Sequence, residues 1–339
     1  MKRFLFPLLT ALALPIAVNA NIDPKVAEIC MKATDFEGCI ASMSAKKRQD
    51  SFNKSEFDDA LAFFKEGSSL RAIKSINSYL KKNPNSKEGF ILSALINAYD
   101  LGKFDDAIRD IDNAIDIDKD YAYAHALKAD IFYWDLDGSL AKTLKYLEKG
   151  MNLSPEDPFI NFIAGDIQYD NGFVILGGDT NDLSKKSKNK KELSLQSFEN
   201  AKNSFEKTLI NIETYKNQSA ESTFPLGVTY TTTAVLGDTK FELFLLYRDK
   251  KDKTSEKKYQ NEAIEHYTKA ISIAPSQEQA EKIELDRDVD LITPADLYMA
   301  RGNVYSWMNN KRKNACDDWN VSKKLGNKDA RDSFREWRC

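Results

Sequence analysis

The sequence predicts an all-α fold, a solenoid of about six paired helices with a capping element at each end. One observation is a recurring pattern. Asn261 to Pro275, NEAIEHYTKAISIAP, sets Ala263, Tyr267 and Ala270 at helical spacing, with Ile264 and Ile271 widening the stripe and Pro275 ending it. Ala72-Ile73, Ile76, Tyr79-Leu80 and Pro84 repeat that spacing, as do Ala107-Ile108, Ile111 and Ala114-Ile115. A helix with small residues along one seam and large apolar ones beside it must pack closely on a neighbour, and units of this kind stack into an array. A second observation is that Gly (14) and Pro (9) are sparse in 339 residues, which suits helices better than a many-turned β architecture. A third is the balance of 42% hydrophobic and 30% charged residues, that of a folded chain rather than a disordered one.

The offsets of Ala263, Tyr267, Ala270 and Pro275 resemble the second helix of the tetratricopeptide repeat, whose signature places Ala, Phe, Ala and Pro there. The resemblance implies a right-handed α-solenoid of helix-turn-helix units over 51–328, its stacked first helices lining a concave surface.

The elements follow in order. Residues 1–20, MKRFLFPLLTALALPIAVNA, carry Lys2 and Arg3, an apolar run from Phe4 to Val18, and a small-residue site at Val18-Asn19-Ala20, which reads as a secretory signal peptide. Fifteen residues with Pro7 and Pro15 among them would span a bilayer core poorly, since that takes about 20. The chain is therefore expected in the periplasm, the extracellular medium or a lumenal compartment, with no membrane span once the leader is removed. Loss of Lys2 and Arg3 would leave 47 basic and 52 acidic side chains, a net charge of −5, with no bulk attraction for nucleic acid or anionic lipid. Residues 21–50 read as a small helical hairpin, an N-terminal cap starting near Pro24.

The first repeat pairs a helix around Phe57, Ala60, Leu61, Phe63 and Phe64 with Leu70 to Lys82, turning at Glu66-Gly67. The second runs from Glu88 to about Asp118, turning at Gly102, with large and small seam positions exchanged at Leu95 and Ala98 relative to the resembled pattern. The third runs from Tyr121 to Pro155 around a loop at Asp135 to Gly138. The fourth opens at Asp157-Pro158, and an insert at 172–192, polar and lysine-rich, delays its second helix to about Leu193–Ile212. Such an insert is expected to be a solvated loop or lid rather than core. A linker containing Ser219 to Pro225 leads to a helix bearing Ala234, Leu236, Gly237, Phe241 and Phe244; a charged stretch, Arg248 to Lys258, precedes the helix at Asn261. The last repeat pairs Tyr298, Arg301-Gly302 and Tyr305 with Ala315, Trp319 and Leu325, and residues 329–339 form a C-terminal capping helix. Pairs three to five are the least regular.

Four cysteines, Cys30, Cys39, Cys316 and Cys339, lie beyond the leader. An even number outside the cytosol suggests disulfides, with three connectivities open; the simplest ties Cys30 to Cys39 and Cys316 to Cys339, one bridge at each end of the array. A zinc site lacks its C-x-x-C spacing and has only two histidines to draw on.

Motifs for chemistry are absent. The aspartates Asp110, Asp112, Asp116, Asp118 and Asp120 suggest a calcium loop, but an EF-hand opening at Asp116 needs Gly and Glu where Tyr121 and Leu127 stand. His125 and His266 sit within helices, outside any H-E-x-x-H, and no G-x-S-x-G, Walker loop or G-x-G-x-x-G occurs. No cofactor or metal is expected. The Lys185 to Lys191 stretch lacks the interleaved aromatics of a nucleic-acid binder.

Carried over by position, the resemblance places Phe57 and Phe64 in the groove from the first unit, and Leu92, Ile96 and Tyr99 from the second. Asp130, Tyr133 and Trp134 come from the third, Asn161, Gln168 and Tyr169 from the fourth. This strip of aromatics and amides suits an extended peptide or an amphipathic helix, although the same rings also suit packing between helices. The lysines and arginines of the family's peptide-carboxylate clamp have no counterparts at these positions. The expected function is a non-catalytic, exported scaffold for a protein or peptide. The rivals are an envelope- or glycan-acting enzyme module, marked by paired acids in one deep pocket, and a structural spacer, marked by a groove filled by the chain's own insert.

Overall fold

The computed structural model describes residues 56–134, 140–178, 180, 183–287 and 291–339, together with Cys30, Gly38, Cys39, Ser42 and Met43. The expected leader, most of the N-terminal cap and the loop at Asp135 to Gly138 lie outside the described residues. The chain divides into two units, 1–55 and 56–339. In the first, the sulfurs of Cys30 and Cys39 are 2.05 Å apart, with Cα atoms 5.6 Å apart.

The second unit is helical, with no strand among the described residues. Six pairs build it. The first is α1 (56–65) with α2 (Ser69–Lys82); the second is α3 (Lys87–Leu95), extended by a π turn at Ile96–Asp100, with α4 (Phe104–Ile117). The third is α5 (Ala122–Trp134) with α6 (Leu140–Leu153), and the fourth α7 (Pro158–Leu176) with α8 (Lys188–Asn211). A one-turn helix, α9 (Gln218–Glu221), precedes the fifth pair, α10 (Val228–Asp249) with α11 (Lys253–Ile273). After α12 (Gln277–Arg287) come the sixth pair, α13 (Pro294–Ser306) and α14 (Arg312–Lys324), and the closing helix α15 (Lys328–Glu336).

Each pair packs internally, and its first helix or its second meets the next pair: α4 on α5, α5 on α7, α8 on α10, α11 on α13. The seam residues read from sequence are the ones buried. Ala72, Ile76, Ala107, Ile111, Ala114, Ala263 and Ala270 have no exposed surface. Close approach is required at Gly165 of α7 and Gly302 of α13, where an added Cβ would lie 2.7 Å from the rings of Phe205 and Trp319. Helix starts follow capping rules: Asp157 accepts from the N–H groups of Phe159 and Ile160 ahead of Pro158, and Thr293 with Asp296 forms a capping box ahead of Pro294. At the C-terminus the sulfurs of Cys316 and Cys339 are 1.91 Å apart, joining α14 to the residues after α15.

Two expectations are corrected. The insert is shorter and better anchored than a solvated loop: α7 continues to Leu176, α8 begins at Lys188, and Leu183 is buried with Leu243, Phe244 and Tyr259. Thr180 within it donates to Glu242 of α10. The charged stretch from Arg248 is mostly helix, because Asp252 caps α11, which begins at Lys253, eight residues before Asn261 would have opened it. The linker at 219–225 remains a connection, carries the end of the one-turn helix α9, and shapes the site.

Candidate functional site

The site lies on the first-helix face between α3 and α7. In α3 the last turn widens, with the Leu101 N–H bonding the Ile96 carbonyl five residues back. Turns of this kind re-aim side chains and recur at functional sites. Tyr99, in that turn, donates its hydroxyl to Asp130 of α5, and Tyr133 of α5 donates to Asp170 of α7 at 2.5 Å. Successive first helices are thus linked hydroxyl to carboxylate across one face.

The linker between α8 and α10 folds back onto this face. Asn217 caps α9 by accepting from the Ala220 N–H, and α9 packs on α3 with Ala220 fully buried in the core of the first four pairs. Phe224 then sets its ring edge-on to Phe162 at 4.7 Å and tilted to Phe159 at 6.3 Å. The linker walls three openings. One, of about 530 Å³, is polar, with Lys65, Glu213 and Lys216 on its lining. A second, of about 500 Å³, lies toward Phe57, Tyr79 and Tyr121. The third, of about 370 Å³, is aromatic and acidic: Tyr99, Tyr123, Phe159, Phe162 and Phe224 surround the carboxyls of Asp130 and Asp166. Trp134 stands at its mouth, 52% exposed, T-shaped against Tyr133 at 5.5 Å. Among the described residues, no lysine or arginine lines this cavity.

Its electrostatics follow from that lining. Burial pushes the Asp130 carboxyl up to about 6, against the Tyr99 and Trp134 side chains, which favour its charged form. Burial, then repulsion from Asp130 and Asp170, pushes Asp166 up to about 7. Asp166 has no hydrogen-bond partner among the described residues. Elsewhere some buried charges meet a counter-ion: Lys240 contacts Glu206 at 3.1 Å and Glu262 at 3.0 Å, and Lys128 pairs with Asp112; Asp238 of α10 is served by the Tyr267 hydroxyl, and burial pushes it up to about 6.

The residues expected in the groove fall into three sets. Tyr99, Asp130 and Trp134 line the aromatic cavity, and Tyr133 supports its mouth. Phe57 lines the second opening, edge-on to Tyr79 at 5.4 Å, while Tyr169 is held among Phe173 and Phe198 rings. Phe64, Leu92 and Ile96 are fully buried, and Asn161, 1% exposed, spends its amide on the Pro155 and Asp157 carbonyls, so these four are interior, not groove. Gln168 is half-buried, and its side-chain carbonyl oxygen has no partner. Asp166, Phe162 and Phe224 belong to the site without having been singled out. A lone phenylalanine in a polar linker was the available signal for Phe224.

No group of three or more His, Cys, Asp or Glu able to hold a metal occurs among the described residues. No described helix is long and apolar enough to cross a membrane. His125 and His266 bond their nearby Lys119 and Glu262 carbonyls, and burial lowers both pKa values.

No protein-family model matches the sequence, and no curated protein is a detectable relative. Solved structures are similar in fold. PilW, described as a widely conserved type IV pilus biogenesis factor, is 14% identical with a TM-score of 0.50, the match covering 84% of this chain and 98% of that one. A tetratricopeptide repeat protein from Parabacteroides merdae is 13% identical over 85% of this chain and 99% of that one, with a TM-score of 0.36. MamA is 16% identical over 70% and 97%, at 0.35. The fold is a tetratricopeptide-repeat-like α-solenoid.

Proposed function

We propose that this chain is an exported, non-catalytic scaffold that binds an extended peptide segment of a protein partner across the concave face of α3, α5 and α7. The aromatic cavity carries the reading. It is a concave site of ligand-binding size, with mostly apolar walls and a few convergent polar groups, beside an exposed tryptophan of the kind that anchors interfaces. Export is supported by the leader-like residues 1–20 and by two cysteine pairs at disulfide distance. The test is a photo-crosslinking residue at Trp134, compared with one at Ile210 on α8, which is 75% exposed. In the native compartment the first position should capture a defined partner and the second should not. Equal capture, or none from Trp134, would refute the reading.

One observation favours a second reading, a glycan-acting enzyme module. Asp130 and Asp166 share a cavity, and both hold protons more tightly than ordinary carboxyls, as an acid catalyst must. Hydrolysis of an envelope glycan by the purified chain, abolished in Asp166→Asn, would replace the scaffold reading with this one.

A further inference from the structure

The groove reading leaves open what chemistry a bound peptide presents to the cavity, and the lining answers that. We propose that the cavity between α3, α5, α7 and the linker anchors one organic cation, the lysine or arginine side chain of a bound peptide, between the Asp130 and Asp166 carboxylates and the rings of Trp134, Tyr99 and Phe162. This rests on the groove reading and narrows it.

Three observations converge. The acidic groups are two, and among the described residues no basic side chain reaches the cavity to neutralise them. Asp130 is 6% exposed and is served only by neutral donors, the Tyr99 hydroxyl and the Trp134 indole, while Asp166 is served by none among the described residues. Six of the lining residues are aromatic, and aromatic rings attract cations more strongly than aliphatic side chains do. A neutral or acidic ligand would leave both carboxyls uncompensated, which buried polar groups do not tolerate cheaply. A long, flexible stem ending in one charge also suits the entrance, because Trp134 is half exposed and can cover the stem. The charge is the opposite of what a carboxylate-binding groove needs.

Binding should be linked to protons. The groups facing Asp166 are Asp130 and Tyr133 on α5, Asp170 and Tyr169 on its own helix, and Tyr99 from the turn after α3; Asp130 also faces Tyr123. None is basic. An empty cavity therefore keeps part of its acid protonated near neutrality, and an entering cation displaces that proton.

The experiment uses the chain purified with its disulfides intact, and tetralysine, tetra-arginine and tetra(acetyl-lysine) as probes, followed by calorimetry. The basic probes should bind and the acetylated one should not. Asp166→Asn, which breaks no hydrogen bond, should weaken binding by about tenfold, and Trp134→Ala by a similar factor. Asp116→Asn, an exposed carboxyl on α4, should change nothing, which separates the cavity from general acidity. Proton release should be seen at pH 6.5 and fade at pH 8.5. Binding of the acetylated probe with equal affinity, or equal losses in Asp116→Asn and Asp166→Asn, would overturn the assignment. If the Trp134 crosslinker still captures a partner while no basic probe binds, the cation assignment falls and the groove stands; if neither works, both fall.

Discussion

The pair α13–α14 and the stretch from α5 to α7 use one repeat plan to opposite ends. In α13, Arg301 directs two N–H bonds, both 2.8 Å, onto Asp318 of α14 and a third onto Thr268 of α11, so a 6% exposed carboxylate is neutralised from within. The Asp318 carboxylate in turn holds the Arg301 guanidinium above its ordinary pKa. Trp319 fills the space over Gly302, donates to Asn303 at 3.1 Å and stacks edge-on to Trp337 at 5.5 Å. Between α5 and α7, Asp130 at the same 6% exposure and the half-buried Asp166 face rings and hydroxyls, and their tryptophan stands outward. A closed pair completes its charges itself. The open stretch leaves that completion to something else.

The sharpest way to break this comparison is to truncate the two tryptophans. Trp319→Ala should cost about 3–5 kcal/mol in denaturant unfolding, a buried aromatic lost from a tight seam. Trp134→Ala should stay within about 0.5 kcal/mol, because an exposed ring has little packing to lose. Similar losses would mean that Trp134 is structural and the open stretch is closed after all. Next in size, Arg301→Met should cost about 2–4 kcal/mol by leaving Asp318 buried without its partner. Recovery on adding Asp318→Leu would confirm that the loss comes from the stranded carboxylate. Smaller again, the pair Cys316→Ala and Cys339→Ala opens a loop of sequence separation 23, and chain entropy puts that at about 3 kcal/mol at most. Because α15 is terminal, the expected readout is faster amide exchange confined to α15, not a lower transition for the whole unit. A global drop would show that the end helix braces the stack.

The repeat architecture was legible because its seams are periodic: Ala263, Tyr267 and Ala270, or Ala107, Ile111 and Ala114, bury one face and announce it by spacing. What periodicity does not encode was not legible. Leu183 is one apolar residue among lysines, and Phe224 one ring among serines and threonines, yet each anchors its segment through a contact set by the fold. Helix α12 is charged throughout, so it has no stripe to read. In the site, register alone found Tyr99, Asp130 and Trp134. The same register placed Phe64, Leu92, Ile96 and Asn161 on an open wall because a single repeat does not show that α9 covers α3, or that first helices in a stack are surrounded on several sides. Asp166 was passed over because an acid on a helix ordinarily faces water.

The smallest expected effect tests the open stretch from inside. A carboxyl whose folded pKa lies above its unfolded value binds more protons folded than unfolded, so it lowers stability as pH rises between the two. For Asp166 that window runs from its ordinary 3.8 to about 7. Asp166 should therefore subtract from the unit's stability across pH 4 to 8, where a depressed carboxyl would add to it. Asp166→Asn removes one such group, so it should flatten this slope and make the variant more stable than the wild type by about 1 kcal/mol at pH 8, with no difference near pH 4. Thermal melts at both values measure it. A closed pair cannot behave this way: Asp318→Asn strips Arg301 of its partner and should destabilise at pH 8. If Asp166→Asn destabilises as well, some positive group already completes the cavity. If it stabilises, the folded unit carries an unmet charge there that a bound cation would satisfy.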